Sequence, residues 1–323
     1  MSDALSWWES LRADPVPWLL DGGSPGLAWR VLVELVGRPI GSPAVARERG
    51  GANAAEPTAS LLAPLQPDGA WIGLPDPWAS GGGGWRVVSV VQLGADPSDP
   101  RLQAACERLL EETRGEGGFA TCAGGPASPC LTARFVQALA SLGWTKHLRC
   151  QEALAWLEET GERAGTSGWD CGVASHAVKG GGCAVAATAV LAASAELSAG
   201  RRESLVGHAS GVLLGILSQW GSSELEVWSR LGHPNLDRTD LAEMLWAMAA
   251  AGIPFDSRME SGLRHLQGAQ DGLARWTRSV AAPMGAGGEV GHPSRWITLK
   301  AVRALRGYAK AAALPRLYPK LPS

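Results

Sequence analysis

Long apolar runs are scarce in this chain. The longest nearly uncharged stretch, Cys183 to Ala195, is too short to cross a bilayer and reads as a buried helix. Met1 to Arg12 mix acidic and polar side chains with two tryptophans, with no apolar segment bounded by a cleavage site, so no secretory signal is expected. The expected setting is cytoplasmic, without an integral membrane segment and with thiols kept reduced. A charge surplus is missing as well. The formal net charge is -2, which leaves no electrostatic footprint for nucleic acid. The one basic stretch, Arg295 to Lys320, reads as a solvated helix face plus tail. No G-x-G-x-x-G, Walker, H-E-x-x-H or G-x-S-x-G pattern occurs. Gly81 to Gly84 lack a following Lys-Ser/Thr and read as a flexible cavity lip, so a nucleotide-dependent reaction is not expected.

Phenylalanine and tyrosine are rare, three and two, whereas there are fifteen tryptophans and 42 glycines. Glycine and tryptophan together mark a period. Gln66-Pro67-Asp68-Gly69-Ala70-Trp71 is followed by Gly115-Glu116-Gly117-Gly118-Phe119, Ser167-Gly168-Trp169, Gln219-Trp220-Gly221 and Gln270-Asp271-Gly272. The anchors Gly69, Gly118, Gly168, Trp220 and Gly272 are 49, 50, 52 and 52 residues apart. A steady period of about 50 residues indicates a repeat architecture.

Each unit has the same order. An amphipathic helix precedes the anchor: Arg101 to Glu112, Arg149 to Glu159, Arg202 to Ser218, Ser257 to Leu266. A Gly/Pro loop follows, then a more apolar helix: Leu131 to Leu142, Cys183 to Leu197, Thr239 to Ala251, Arg295 to Arg306. Helices polar on one face belong outside, and those apolar all round belong inside. Val87 to Leu93 has strand-like composition, but its place in the repeat predicts an inner helix. A further pair, Ala4 to Arg12 and Ala28 to Leu35, the latter behind a Ser24-Pro25 start signal, brings the count to six hairpins. The expectation is an all-α fold: an (α/α)6 toroid or barrel of six helical hairpins with one central cavity. It forms one domain over residues 1–323, with a short flexible tail from about residue 312.

Two cysteine pairs lie one repeat apart. Cys122 and Cys130 flank one Gly/Pro/Ser loop and Cys171 and Cys183 flank a second, with first members 49 apart and second members 53. Loops in matching positions of neighbouring repeats meet in space, so four thiols are expected to converge and bind a metal, zinc ahead of an iron–sulfur cluster. The spacings are wider than the usual CxxC knuckle, and two loop disulfides or four unrelated buried thiols are the alternatives. His176 or Asp170 taking a ligand's place would open a coordination position and make the metal catalytic. Cys106 and Cys150 sit at packing positions of outer helices.

The Gln-x-x-Gly-x-Trp turns on this period resemble the QW-type repeats of the terpenoid cyclase and protein prenyltransferase superfamily. From about Pro17 to Gly307 the chain looks like a stand-alone α/α toroid of the prenyltransferase/squalene oxidase repeat type. More closely it resembles a bacterial subgroup with four cysteines, through Phe119-Ala120-Thr121-Cys122, Pro129-Cys130-Leu131-Thr132 and Gly168-Trp169-Asp170-Cys171. Trp228-Ser229-Arg230-Leu231-Gly232, Thr239-Asp240-Leu241 and Pro293-Ser294-Arg295-Trp296-Ile297-Thr298-Leu299 extend that resemblance. The departures are definite. The Asp-x-Asp-Asp motif that protonates alkenes in type II cyclases is missing, and the nearest element is Asp237-Arg238-Thr239-Asp240. The prenyltransferase zinc set does not match either, so neither mechanism transfers.

The candidate chemistry follows from position. Asp237, Asp240 and His233 precede the fifth inner helix, where an acid in an apolar cavity gains general acid/base character; Asp at a helix start is equally a cap. Arg295 and Arg86 are candidate anion contacts, with Trp296, Thr298 and Trp85 lining the substrate space and Ser294 capping the last inner helix. Arg295 is alternatively an ion-pair partner of Asp240. Aromatic walls suit carbocations, although most of the tryptophans occupy repeat turns as wedges. The leading expectation is an enzyme of cyclase, lyase, isomerase or transferase type acting on a small, largely apolar, isoprenoid-like molecule. The alternatives are metal-centred catalysis at an open cysteine-ligated position and a non-catalytic ligand- or protein-binding toroid.

Overall fold

The computed structural model describes residues 8–74, 76–177, 181–221, 226–315 and 317. Among them the protein is all-α: fourteen α-helices, short 3-10 turns and no strand. The helices are α1 (Val16–Leu20), α2 (Pro25–Glu34), α3 (Pro43–Gly51), α4 (Thr58–Leu62) and α5 (Gly83–Gln92). Next come α6 (Pro100–Glu112), α7 (Pro129–Ser141), α8 (Leu148–Ala164), α9 (Ala184–Ala193) and α10 (Ala199–Leu217). The last are α11 (Glu226–Ser229), α12 (Leu241–Ala250), α13 (Glu260–Gly268) and α14 (Arg295–Tyr308).

The helices differ in how much of their surface is buried. On α6 the apolar stripe Leu102, Ala105, Cys106, Leu109 and Leu110 is buried while the charged face stays in water. In contrast, α9 carries no charge and buries nine of its ten residues. The valine-rich segment is helix α5, not strand, with Val87, Val88, Val90 and Val91 all buried. Tertiary packing overrides the local preference of β-branched residues. Two regions differ from expectation. Residues 8–10 form a 3-10 turn and α1 begins at Val16, while residues 4–7 of the expected first helix lie outside the described ones. Helices α3 and α4 fill a stretch for which no helix is expected.

The repeat turns have a physical reason. Gly69 adopts φ +81°, and a Cβ there would sit 2.4 Å from the backbone of Ala104 on α6. Only glycine lets that turn seat against the next outer helix. The seating recurs. Arg149 and Trp156 of α8 lie on Gly117 and Gly118, Val212 of α10 lies on Gly168, and His265 of α13 meets Trp220. The indole N–H groups of Trp169 and Trp276 each cap an outer-helix carbonyl, Leu157 and Leu266, at 2.9 and 2.7 Å. At the fifth turn the N-terminal segment takes the outer helix's place: Gln270 accepts from the Arg12 amide and donates to the Ser10 carbonyl.

The inner helices meet in series, α5 with α7, α7 with α9, α9 with α12, α12 with α14, and α14 with α2. Trp29 of α2 donates its indole N–H to the carbonyl of Gly94, just past α5, at 2.7 Å. One continuous apolar cluster runs from Leu11 to Leu314. Packing continues beyond residue 312, since Ala312 and Leu314 are buried. Among the described residues no helix is long and apolar enough to cross a membrane.

Candidate functional site

Three cysteines and one histidine converge where hairpins three and four meet. Cys130 is the second residue of α7, Cys183 is the N-cap of α9, and Cys171 and His176 lie on the loop before α9. Their ligand atoms all fall within 4.8 Å of one another. Sulfurs bound to one tetrahedral zinc at ~2.3 Å stand about 3.8 Å apart, so the group could hold a metal ion with little adjustment. Cys171 Sγ and Cys183 Sγ lie 3.4 and 4.0 Å from His176 Nδ1, and Cys130 Sγ lies 3.3 Å from Ser128 Oγ.

Two helix N-termini favour negative charge here, and the Cys183 sulfur accepts the Ala186 amide at 3.4 Å. Hydrogen bonds from Cys171 and Cys183 hold the Cys130 thiol far below the usual range. Cys183 is pushed up by its bonds to Cys130 and Cys171 and by burial. Burial works against a proton on His176, but hydrogen bonds to Cys130 and Cys171 outweigh it and raise its pKa to about 10. Metal binding would release these shared protons. No disulfide joins the six cysteines. Cys122 is not part of the group: it is exposed, and His176 stands where a fourth cysteine was expected. Asp170 is exposed and accepts the Gly172 amide of its own turn.

A cavity of about 210 Å³ lies among the inner helices. Every one of α2, α5, α7, α9, α12 and α14 lines it, through Arg30, Gln92, Gln137, Ala193, Trp246 and Lys300 among others. Ser141, Ala195, Glu196 and Ala250 at its edge are exposed, whereas His233, Glu243 and Lys300 in its floor are buried. The floor is built by the segment Leu231 to Asp240, held by α5, α7 and α14. Gln92 clamps the backbone of Asn235 on both sides, and Lys300 Nζ donates to the Gly232 carbonyl at 3.1 Å.

A buried ion pair anchors that floor. Arg134 Nη1 and Glu243 Oε1 are 2.8 Å apart, and Arg134 also donates to the carbonyls of Leu236 and Arg238. Asn235 and Thr239 donate to Glu243 Oε2. Burial disfavours the Glu243 carboxylate, yet Arg134 and Lys300 hold its pKa at about 2. It is therefore an anion and no proton donor near neutrality. His233 Nε2 lies 3.1 Å from the Gln92 carbonyl, an acceptor, so Nε2 carries the proton. Its Nδ1 is buried without a partner. Burial, with the charges of Lys300 and Arg278, pushes the imidazole pKa well below its ordinary value. The Trp246 indole N–H is likewise unpartnered, and Arg303 lies 4.3 Å over that ring. Burial lowers the Arg303 pKa to about 10 against the opposing pull of Glu34, which pairs with it at 3.1 Å.

Of the residues expected from sequence, His233 and Trp296 line this cavity. Asp240 does not. Fully buried, it caps α12 through the Glu243 amide and accepts from Gly232 and Asn235, and its cationic neighbour is Lys300 at 3.9 Å, not Arg295. Asp237 is exposed. Thr298 takes the Trp276 amide as Thr132 takes that of Phe119, so both join a turn to an inner helix. Arg86 donates to the carbonyls of Gly81 and Leu61, and Trp85 donates to that of Trp78. Arg295, the first residue of α14, lies over Trp18 and outside the cavity lining. Trp246, a tryptophan on an expected inner helix, and Lys300, beside Thr298, also line the cavity, and the residues that sequence reasoning missed are Arg134, Glu243 and Arg303. Arg134 and Glu243 carried a signal: a lone charge within an apolar inner helix must find a buried partner. No protein-family model matches the chain, and a search of curated proteins finds no match to it.

Proposed function

We propose that this protein is a terpenoid cyclase-like (α/α)6 toroid in which six helical hairpins close into a ring. In this reading it is an enzyme acting on a small, amphipathic, isoprenoid-like molecule in the central cavity, with a structural zinc ion at the Cys130–Cys171–His176–Cys183 group. One observation carries the reading: six inner helices, each beside the next, all line a single cavity with a buried, charged floor. The N-terminal segment seated on the fifth turn adds support, because it joins the last repeat to the first.

The donor set favours a scaffolding ion. Three thiolates and an imidazole fill a tetrahedral zinc, leaving no position for substrate. Cys130 begins α7 while Gln137 and Ser141 of that helix line the cavity, an offset of about 10–16 Å at ~1.5 Å per residue. The group is also sized for one ion rather than several. Metal-centred catalysis and an iron–sulfur cluster are the weaker readings on these grounds.

The proton-transfer candidate is His233. Its tautomer is set by the Gln92 carbonyl, and its free Nδ1 lone pair can take a proton from a bound molecule and return it. Trp246 and Trp296 offer flat apolar faces, and Arg30 and Arg303 share the single carboxylate of Glu34, which leaves positive charge for an anionic end. The test is calorimetric titration with geranyl and farnesyl diphosphate together with product analysis. Saturable binding is expected, weakened tenfold or more in Trp246→Ala, with turnover lost in His233→Gln. Failure of the folded protein to bind either probe removes the reading. Binding without turnover moves it to the non-catalytic toroid.

A further inference from the structure

A second pocket, of about 350 Å³, lies at the N-terminal end of α14, beside the N-terminus of α2. Arg278 and Arg295 both line it. Arg278 is 2% exposed and its Nε has no hydrogen-bond partner. Its one side-chain bond is a long one, 3.4 Å from Nη1 to the Val280 carbonyl. Neither guanidinium pairs with a carboxylate among the described residues, since Arg295 donates only to the carbonyls of Trp18 and Asp21. A buried cation without a counter-ion is costly unless an anion completes it.

We propose that this pocket binds a small oxoanion of the phosphate class. The unpaired Nε–Nη2 edge of Arg278 is the fork that takes two oxygens of such a group. Two helix N-termini point positive potential at the same space, α2 capped by Ser24 and α14 by Ser294. The loop after Arg278 is built to lie close. A Cβ on Gly287 would fall 2.5 Å from Arg278 Nη2, so the glycine lets the backbone pass close to the guanidinium as it stands. The acids at the rim, Glu56 and Glu289, are exposed, and Glu289 already faces His292 at 3.4 Å. Exposed carboxylates are screened by water and salt, and the buried charge of Arg278 dominates.

This pocket shares only Trp296 with the lining of the central cavity, and its test uses a different probe and different deciding variants. Inorganic phosphate is titrated calorimetrically against the full chain at constant ionic strength set with chloride, alongside thermal melts. A one-site isotherm and a rise in Tm above the chloride control are expected. Affinity should fall at least tenfold in Arg278→Met and in Arg295→Gln, and stay at the wild-type value in Trp246→Ala. Where Arg278→Met does not fold, the more exposed Arg295→Gln decides. No binding above the chloride control, or an unchanged affinity in Arg295→Gln, overturns the proposal.

Discussion

The imidazole of His233 lies flat on the indole of Trp296, centroids 4.8 Å apart and planes 17° apart. Burial and the charges of the nearby Lys300 and Arg278 favour the neutral ring and outweigh the Gln92 carbonyl, which favours the cation. In the unfolded chain the same histidine takes a proton near pH 6.5; in the fold it does so only at a pH well below that. Protons therefore favour unfolding. Below about pH 6.5 this group should lower stability by up to about 1.4 kcal/mol per pH unit. Urea unfolding across about pH 5 to 7 checks this against His233→Gln, which should flatten the slope. Equal slopes would contradict the burial of a neutral ring.

The Arg134–Glu243 pair should behave as a unit. Arg134→Met leaves Glu243 buried with its main counter-ion gone, a loss of about 3–5 kcal/mol. Glu243→Leu strands Arg134 to a similar degree. The double variant should be less destabilised than the sum of the two, by about 2 kcal/mol. Chemical denaturation of the four proteins measures the coupling. Additive losses would mean that the two side chains do not hold the cavity floor together.

Ala250 sits exposed on the cavity edge at the end of α12. Ala250→Trp should block entry while changing stability by no more than about 0.5 kcal/mol, as surface substitutions usually do. Loss of isoprenoid diphosphate binding with an unshifted melting curve is the expected result. Retained binding would place the ligand elsewhere.

The repeat was the most legible feature, because each turn must let a neighbouring helix approach its backbone. Gly69 and Gly168 are required by Ala104 and Val212, residues outside their own unit. This geometry explains why Val87 to Leu93 is helical despite its composition. Helices α3 and α4 were hidden because they precede the first anchor and have no counterpart spacing to reveal them. At the metal group, repeat register identified the two loops that meet but not which donors turn inward. Cys122 lies eight residues before Cys130 and stays in water, while His176, in the 3-10 turn Ala174–His176, faces the thiols. Asp240 had the right position for a cavity acid, yet its carboxyl is consumed by the amides and side chains around it.

The metal group offers the most direct test, since it joins α7 to α9 through ligands from both hairpins. Elemental analysis of freshly purified, untagged protein should find one zinc per chain in a colourless sample. Cys183→Ser and His176→Ala should lose it and melt several degrees lower, and Cys122→Ser should keep it. A metal-free wild type, a stoichiometric multi-iron cluster, or zinc lost on Cys122→Ser would contradict the account.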